Sequence, residues 1–420
     1  ATGGAGATGG SGATGGDPGT PALEALAEVP HFAVVSSDFS STSIAVLDAD
    51  FVALDESWLN SGTTFPGLVA TLSGDVALPN QQAGDGTFAV IDRFSTDVVS
   101  RFFVPSGNLN GQVRTQGELG MSGFSSNPQD LVFVDETSAW VTRLGVNLDD
   151  TAPPENQGTD LLQINPTTMT LTGGRVDLSS FNTIGTVMTD QGPVDVIVYA
   201  RPNRAVRVDS TVVVGLDRLS LSFDAAGPGM VAVVDLDDES ATGLLLGSGF
   251  ANCGNATPVP GAASKVVVSC QGFAANFGDE GETRASAGVL LLDVTDGEVT
   301  IETTWRASTD EDSAIAVNEL IAIDDTRVAG VAYGNFVDTT DALYITDITS
   351  GDQELVYTSL GSFEIGTSAW DPDAELLFVP DGVESAVIEY ALTESGPMEV
   401  GSVELAPGLG LPPRKVYLLE

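Results

Sequence analysis

Basic residues are scarce in this chain of 420 residues. Fifteen lysines and arginines stand against 59 aspartates and glutamates, a formal charge of −44, and the only lysines are Lys265 and Lys415. Recognition of a phosphate backbone needs clustered cations, so no nucleic-acid partner is expected. The acidity instead suits a hydrated exposed surface, or one that attracts divalent cations or a basic partner. Histidine occurs once, as His31 beside the N-terminal tail. That excludes a multi-histidine metal centre and argues against a Ser-His-Asp triad, and His31 reads as a surface or strand-start residue. The two cysteines form no haem-attachment motif with it. No apolar run approaches the ~20 residues needed to span a bilayer. Gly3-Gly4 and similar pairs lie in the tail rather than between a strand and a helix, so they form no phosphate loop.

What the chain does have is glycine, 48 residues of it, with 42% hydrophobic and 18% charged residues, a composition suited to a large core of small side chains joined by many turns. Its dominant pattern is a short apolar strand ending in a polar turn residue. The copies are Ser43 to Asp48, Phe88 to Asp92, Leu161 to Asn165, Val231 to Asp235, Val289 to Asp293, Leu343 to Asp347 and a degenerate Val387 to Ala391. Their ends are separated by 44, 73, 70, 58, 54 and 44 residues, and the shortest spacing is that of one four-stranded propeller blade. Seven copies predict an all-β, seven-bladed β-propeller of four-stranded antiparallel blades, each copy being the third strand of its blade.

Each copy follows a second apolar run: Phe32 to Ser37, Leu68 to Leu72, Ala139 to Arg143, Thr211 to Val214, Lys265 to Ser269, Val328 to Tyr333 and Leu376 to Val379. These are continuous runs rather than strict alternation, as expected where both faces of a sheet are covered. A two-sheet sandwich, the competing fold, would leave one face of each sheet wet and alternate more cleanly. The terminal aspartates read as turn formers whose carboxylates accept from the backbone two residues on, and Asp135, Asp324 and Asp371 read the same way between first and second strands. Pro412-Pro413 followed by Arg414 to Glu420 reads as one more strand. Blade one has no first strand of its own, so the C-terminal strand is expected to supply it and close the ring.

The segment Ala139-Trp-Val-Thr-Arg143, followed by Leu161 to Asn165 and Pro166-Thr-Thr, resembles the Tyr-Val-Thr-Asn repeat of bacterial YVTN-type seven-bladed propellers. The resemblance covers one blade well and the others by pattern. It implies an architecture and carries no catalytic constellation with it.

Cys253 and Cys270 lie symmetrically about Pro260 to Ala263. A hairpin turning there sets them opposite each other on neighbouring strands, which predicts a disulfide and an oxidising compartment. Residues 1–20 are almost entirely Gly, Ala, Thr and Ser, a composition that cannot bury enough surface to order itself. Residues 1–28 therefore read as a flexible tether before a propeller over residues 29–420. The tether resembles the spacer of bacterial surface lipoproteins, without the acylated cysteine, so membrane tethering would require an N-terminal lipid anchor absent from this sequence. The expected location is extracytoplasmic: secreted, periplasmic or anchored at the outer surface of a bacterium.

Length variation concentrates in residues 74–86, 145–159, 215–229 and 271–287, all read as connections from second to third strands and therefore convergent on one face. Long loops on a rigid scaffold are where binding is usually built. The candidate ligand- or cation-binding residues there are Asp75, Asp85, Asp149, Asp150, Asp279 and Glu282, with Phe273 and Phe277 for apolar contact. Asp310, Glu311 and Asp312 add acids on an interblade connection. Calcium is the cofactor such oxygens would take, although no segment has EF-hand spacing. Trp58, Phe65 and Phe250 read as plugs between blades. The expected function is a binding scaffold for a protein or glycan partner on the long-loop face. The alternatives are a structural component of a cell-surface complex and a calcium-dependent hydrolase or lyase working with converging carboxylates.

Overall fold

The computed structural model describes residues 26, 28–104, 106–116, 124–149, 151–275, 279–308, 313–335, 339–405 and 408–419. The tether, residues 1–28, lies almost wholly outside this set, as do Asp150, Phe277 and the acids 310–312.

The described residues form seven four-stranded antiparallel sheets and one three-stranded sheet. In the first, Pro413–Leu418 from the C-terminus pairs with Phe32–Ser37, which pairs with Thr42–Leu47 and then Ala53–Asn60. The register is antiparallel, Phe32 opposite Leu418 and Val34 opposite Val416. The other six sheets each use four strands in chain order. Their inner strands are Val76–Ala77, Pro128–Asp135, Pro202–Val208, Asn255–Pro258, Asn318–Ala322 and Ala369–Asp371.

The continuous apolar runs are buried on both faces. Every residue of Phe32–Ser37, Thr42–Leu47 and Thr211–Leu216 is buried, while outer strands such as Ser240–Leu245 and Glu298–Arg306 are mostly exposed. Packing passes from each sheet to the next. Ile44, Trp58, Val76 and Phe88 join sheets one and two, and Ile91, Val99, Val141 and Ile164 join two and three. Trp140 with Val212, Val213 with Leu290, Val267 with Val328 and Val331 with Leu377 continue the series. Sheet seven then meets sheet one through Phe32, Leu47, Phe378, Val387 and Val416. At that seam the rings of Phe32, Phe51 and Phe378 lie 4.4 to 5.0 Å apart by centroid. Each fully buried aliphatic or phenyl group contributes about 1.5–3 kcal/mol.

The turn aspartates behave as their chemistry requires. Asp48, Asn165, Asp235 and Asp347 each accept from backbone N–H groups two to four residues on, and Asp135, Asp324 and Asp371 do the same between first and second strands.

Sheet two departs from the expected pattern. Phe88 to Asp92 belongs to its second strand, Thr87–Asp92, and the third is Val98–Phe103. Leu68 to Leu72 forms no strand. The true first strand has two residues, too short to show in a pattern of apolar runs, and the third carries a buried arginine, Arg101, in place of a turn aspartate. Residues 74–86 are consequently not a second-to-third connection. They hold the first strand and its link to the second. A further difference is the three-stranded sheet, made by the hairpin Thr183–Thr189 and Gly192–Tyr199 with Leu219–Ser220. Thr183–Thr189 mixes threonine and glycine with apolar residues, and Gly192–Tyr199 ends in no polar turn residue, so neither shows the repeat. The one α-helix among the described residues, Glu280–Ser286, begins at Asp279, whose carboxylate accepts from Glu282 N.

Candidate functional site

In these antiparallel sheets, second-to-third connections and links to the next sheet leave from the end at which the inner strands begin. The added structure gathers there. It comprises the 3-10 turn Pro154–Asn156, the helix Glu280–Ser286 and the three-stranded sheet, whose hairpin precedes the inner strand of sheet four. One face of that hairpin presents Ile184, Met188 and Ile197 to solvent.

The inner strands converge on a polar cluster. Arg93 binds Asp75 through Nε (2.9 Å) and Nη2 (2.5 Å), and its Nη1 donates to Gln129 Oε1 at 3.2 Å. Arg204 donates to the carbonyls of Gln129 and Leu78 at 2.8 and 2.9 Å and to Asn80 Oδ1 at 2.6 Å. Asn80 reaches across the lumen: its Nδ2 donates to Ala256 O at 2.6 Å and Ala205 O at 3.0 Å, and its backbone N–H to buried Asp130 at 3.0 Å. One short segment of sheet two thereby touches the inner strands of sheets three, four and five. The residues it touches stand in the beginning or middle of those strands.

Across the lumen, Glu319 accepts from Tyr333 OH at 3.0 Å and from Thr367 Oγ1. Burial, with the Glu319 charge beside it, pushes the Tyr333 hydroxyl far up and keeps it neutral. Asp217 accepts from Asn203 Nδ2 at 3.2 Å, and burial raises it to about 6. Its place depends on Gly254, where a Cβ would stand 1.6 Å from Asp217 Oδ1. Lys415, on the inner strand of sheet one, is pressed down to about 8, chiefly by desolvation and then by Arg93, with Arg204 adding to it and Glu319 and Asp75 opposing. The Lys415 backbone bridges Thr367 beside the inner strand of sheet seven, and charges from sheets two, four and six act on its ammonium. Among the described residues the ammonium makes no hydrogen bond and no ion pair. Lys265, by contrast, pairs with Asp293 at 3.1 Å and with Glu302.

The sequence-predicted residues are not gathered into one site. Asp75 is at the lumen, engaged by Arg93. Asp85 lies at the opposite end of sheet two, paired with Arg101 and Thr87. Asp149 is closed on Thr151 in its own turn, and Asp279 caps the helix while Glu282 accepts from Ala275 N at 2.8 Å. Phe273 donates its backbone N–H to Ser286 Oγ at 2.8 Å. Asp150 and Phe277 lie outside the described residues. Among the described residues no three His, Cys, Asp or Glu side chains form a group that could hold a metal ion. Trp58 and Phe250 are buried in the seams. Asn80, which the sequence offers beside Asp75 and Asp85 as a loop oxygen for a cation, instead bonds inner-strand carbonyls; sequence reasoning missed Arg93, Arg204 and Glu319, which are dispersed along the chain, and it passed over Lys415, whose rarity was its one visible signal.

Cys253 and Cys270 form a disulfide. The strands they flank pair Asn255 with Ser269, which places Cys253 one step from the symmetric register inferred about residues 260–263.

No family model matches the chain, and no curated protein matches it. Solved structures do. A hypothetical selenium-binding protein from Sulfolobus tokodaii superposes with a TM-score of 0.58 at 12% identity, over 93% of this chain and 94% of that one. A periplasmic gluconolactonase from Pseudomonas aeruginosa gives 0.54 at 12% identity, over 94% and 99%. A provisional 6-phosphogluconolactonase from Bacteroides fragilis gives 0.55 at 12%, over 96% and 100%. At such identities the likeness is one of fold alone. The chain is a β-propeller.

Proposed function

We propose that the chain is a seven-bladed, closed propeller acting outside the cytoplasm as a binding module, with its long-loop face turned to a protein or glycan partner. Seven four-stranded sheets and seven inter-sheet cores support the blade number. The pairing of Pro413–Leu418 with Phe32–Ser37 supports closure by the C-terminal strand. The disulfide supports an oxidising compartment, and the Trp140 to Arg143 segment supports kinship with YVTN-type propellers.

The observation that carries the binding reading is the placement of the added structure. The three-stranded sheet, the helix and the 3-10 turn all belong to connections at one end of the sheets, while most turns at the other end are tight, the stretch 78–86 of sheet two being the exception. A stiff ring with elaborated loops at one end builds a site without altering its core. The test is to shorten residues 271–287 and excise residues 183–199 in the full chain, then measure binding to a glycan panel and to secreted and cell-surface protein fractions. Binding should fall while the melting temperature stays nearly constant. Binding that survives both changes places the site elsewhere.

A further inference from the structure

The lumen holds an anomaly. In a protein of formal charge −44, almost any surface lysine finds a carboxylate, as Lys265 does twice over. Lys415 alone of the two lysines has none within 4 Å among the described residues. It stands instead where Arg93 and Arg204 depress it. The acids that act on it are already engaged: Asp75 by Arg93, and Glu319 by Tyr333 and Thr367. Holding a half-buried ammonium with no carboxylate in contact and two guanidinium charges acting on it costs stability, and such a cost is retained where a ligand relieves it. Arg93 adds capacity, since the three hydrogen bonds it makes leave two of its five N–H donors over. Asp75, Arg204, Glu319 and Lys415 all stand at or near the beginnings of their inner strands, so the cluster lies toward the long-loop end.

We infer that this part of the lumen is a binding site for a small oxyanion, a carboxylate- or phosphate-bearing molecule, which pairs with the Lys415 ammonium and takes further hydrogen bonds from Arg93. The neighbouring carboxylates of Asp75 and Glu319 restrict it to compact anions that fit between them. The site stands at the centre of the face proposed above but uses none of its loops, so the two readings fail separately. Binding restores the ammonium's counter-charge, so affinity holds up to about pH 8, the value to which Lys415 is depressed, and weakens as the amine deprotonates above it.

The test is calorimetric titration of the full chain with inorganic phosphate and, separately, succinate, at low ionic strength and pH 7. Saturable one-site binding of at least one of them is expected. Lys415→Met should weaken it by about tenfold or more, Lys415→Arg should retain most of it, and Lys265→Met should change nothing. Excision of residues 183–199 should also leave it intact, which separates this site from the loop-borne one. The melting temperature of Lys415→Met without ligand should equal or exceed that of the parent, so the loss cannot come from misfolding. Failure of both anions to saturate the parent, or equal affinity in Lys415→Met, overturns the inference.

Discussion

Arg143 and Asp160 form a bidentate pair with no exposed surface, Nε to Oδ1 at 2.7 Å and Nη2 to Oδ2 at 2.6 Å. Arg143 also donates to the carbonyls of Thr115 and Glu155 at 2.8 and 2.5 Å, tying the 3-10 turn of the long-loop face to sheet three.

Removing Arg143 leaves Asp160 still paired with Arg175 Nε, whereas removing Asp160 strands the fully buried Arg143 without a carboxylate. Asp160→Leu is expected to cost about 3–5 kcal/mol, read as a lowered urea midpoint. Arg143→Met with Asp160→Leu should cost less than the sum of the two single changes. An additive result would mean that the pair is not energetically coupled.

Asp217 gives a dependence on pH whose sign is fixed. Its folded value is raised to about 6 from an ordinary 3.8, so between these values the folded chain holds more protons than the unfolded one and stability falls as pH rises. The cost is complete above pH 6 and absent below about pH 4. Asp217→Asn should therefore raise the melting temperature at pH 7.5 by a few degrees and leave it unchanged at pH 4. An equal gain at both values would point to packing instead of charge.

The disulfide closes a short loop, with Cys253 and Cys270 17 residues apart. Replacing both by serine should cost about 3 kcal/mol by the chain-entropy account. Reductant should lower the melting temperature of the parent and leave that of the double variant unmoved.

Asn80→Ala removes two hydrogen bonds to inner-strand carbonyls and an acceptor for Arg204. A loss of about 1–3 kcal/mol is expected from the buried groups left unpaired. Backbone amides of residues 202–208 and 255–258 should exchange faster in deuterium, while those of sheet seven should not.

Six of the seven repeats are third strands because a run such as Val231–Ala–Val–Val–Asp235 has to be covered on both faces and then turn, and both demands are local. Sheet two failed because a two-residue inner strand leaves no periodicity, and because Arg101 is buried through its bonds to Thr87, Asp85 and the Pro166 carbonyl, partners no local pattern reveals. The site was harder still. Its acids were sought where they are dense, on loops, yet exposed aspartates such as Asp149 spend their oxygens on their own turns. The lumen residues come singly from strands far apart in the chain and meet only through contacts between sheets, such as the hydrogen bond of Arg204 to Asn80 and the bridge of Thr367 to Lys415.

The strand Phe32–Ser37 takes one neighbour from the next few residues and the other from the far terminus. During synthesis, then, the first sheet waits with an open edge until residues 413–418 have left the ribosome, although every other sheet is complete as soon as its own stretch has emerged. The entropy of joining such distant segments grows only logarithmically with their separation, so the delay is one of timing more than of energy. The ring's lock cannot fasten before that strand arrives, however much has already been built.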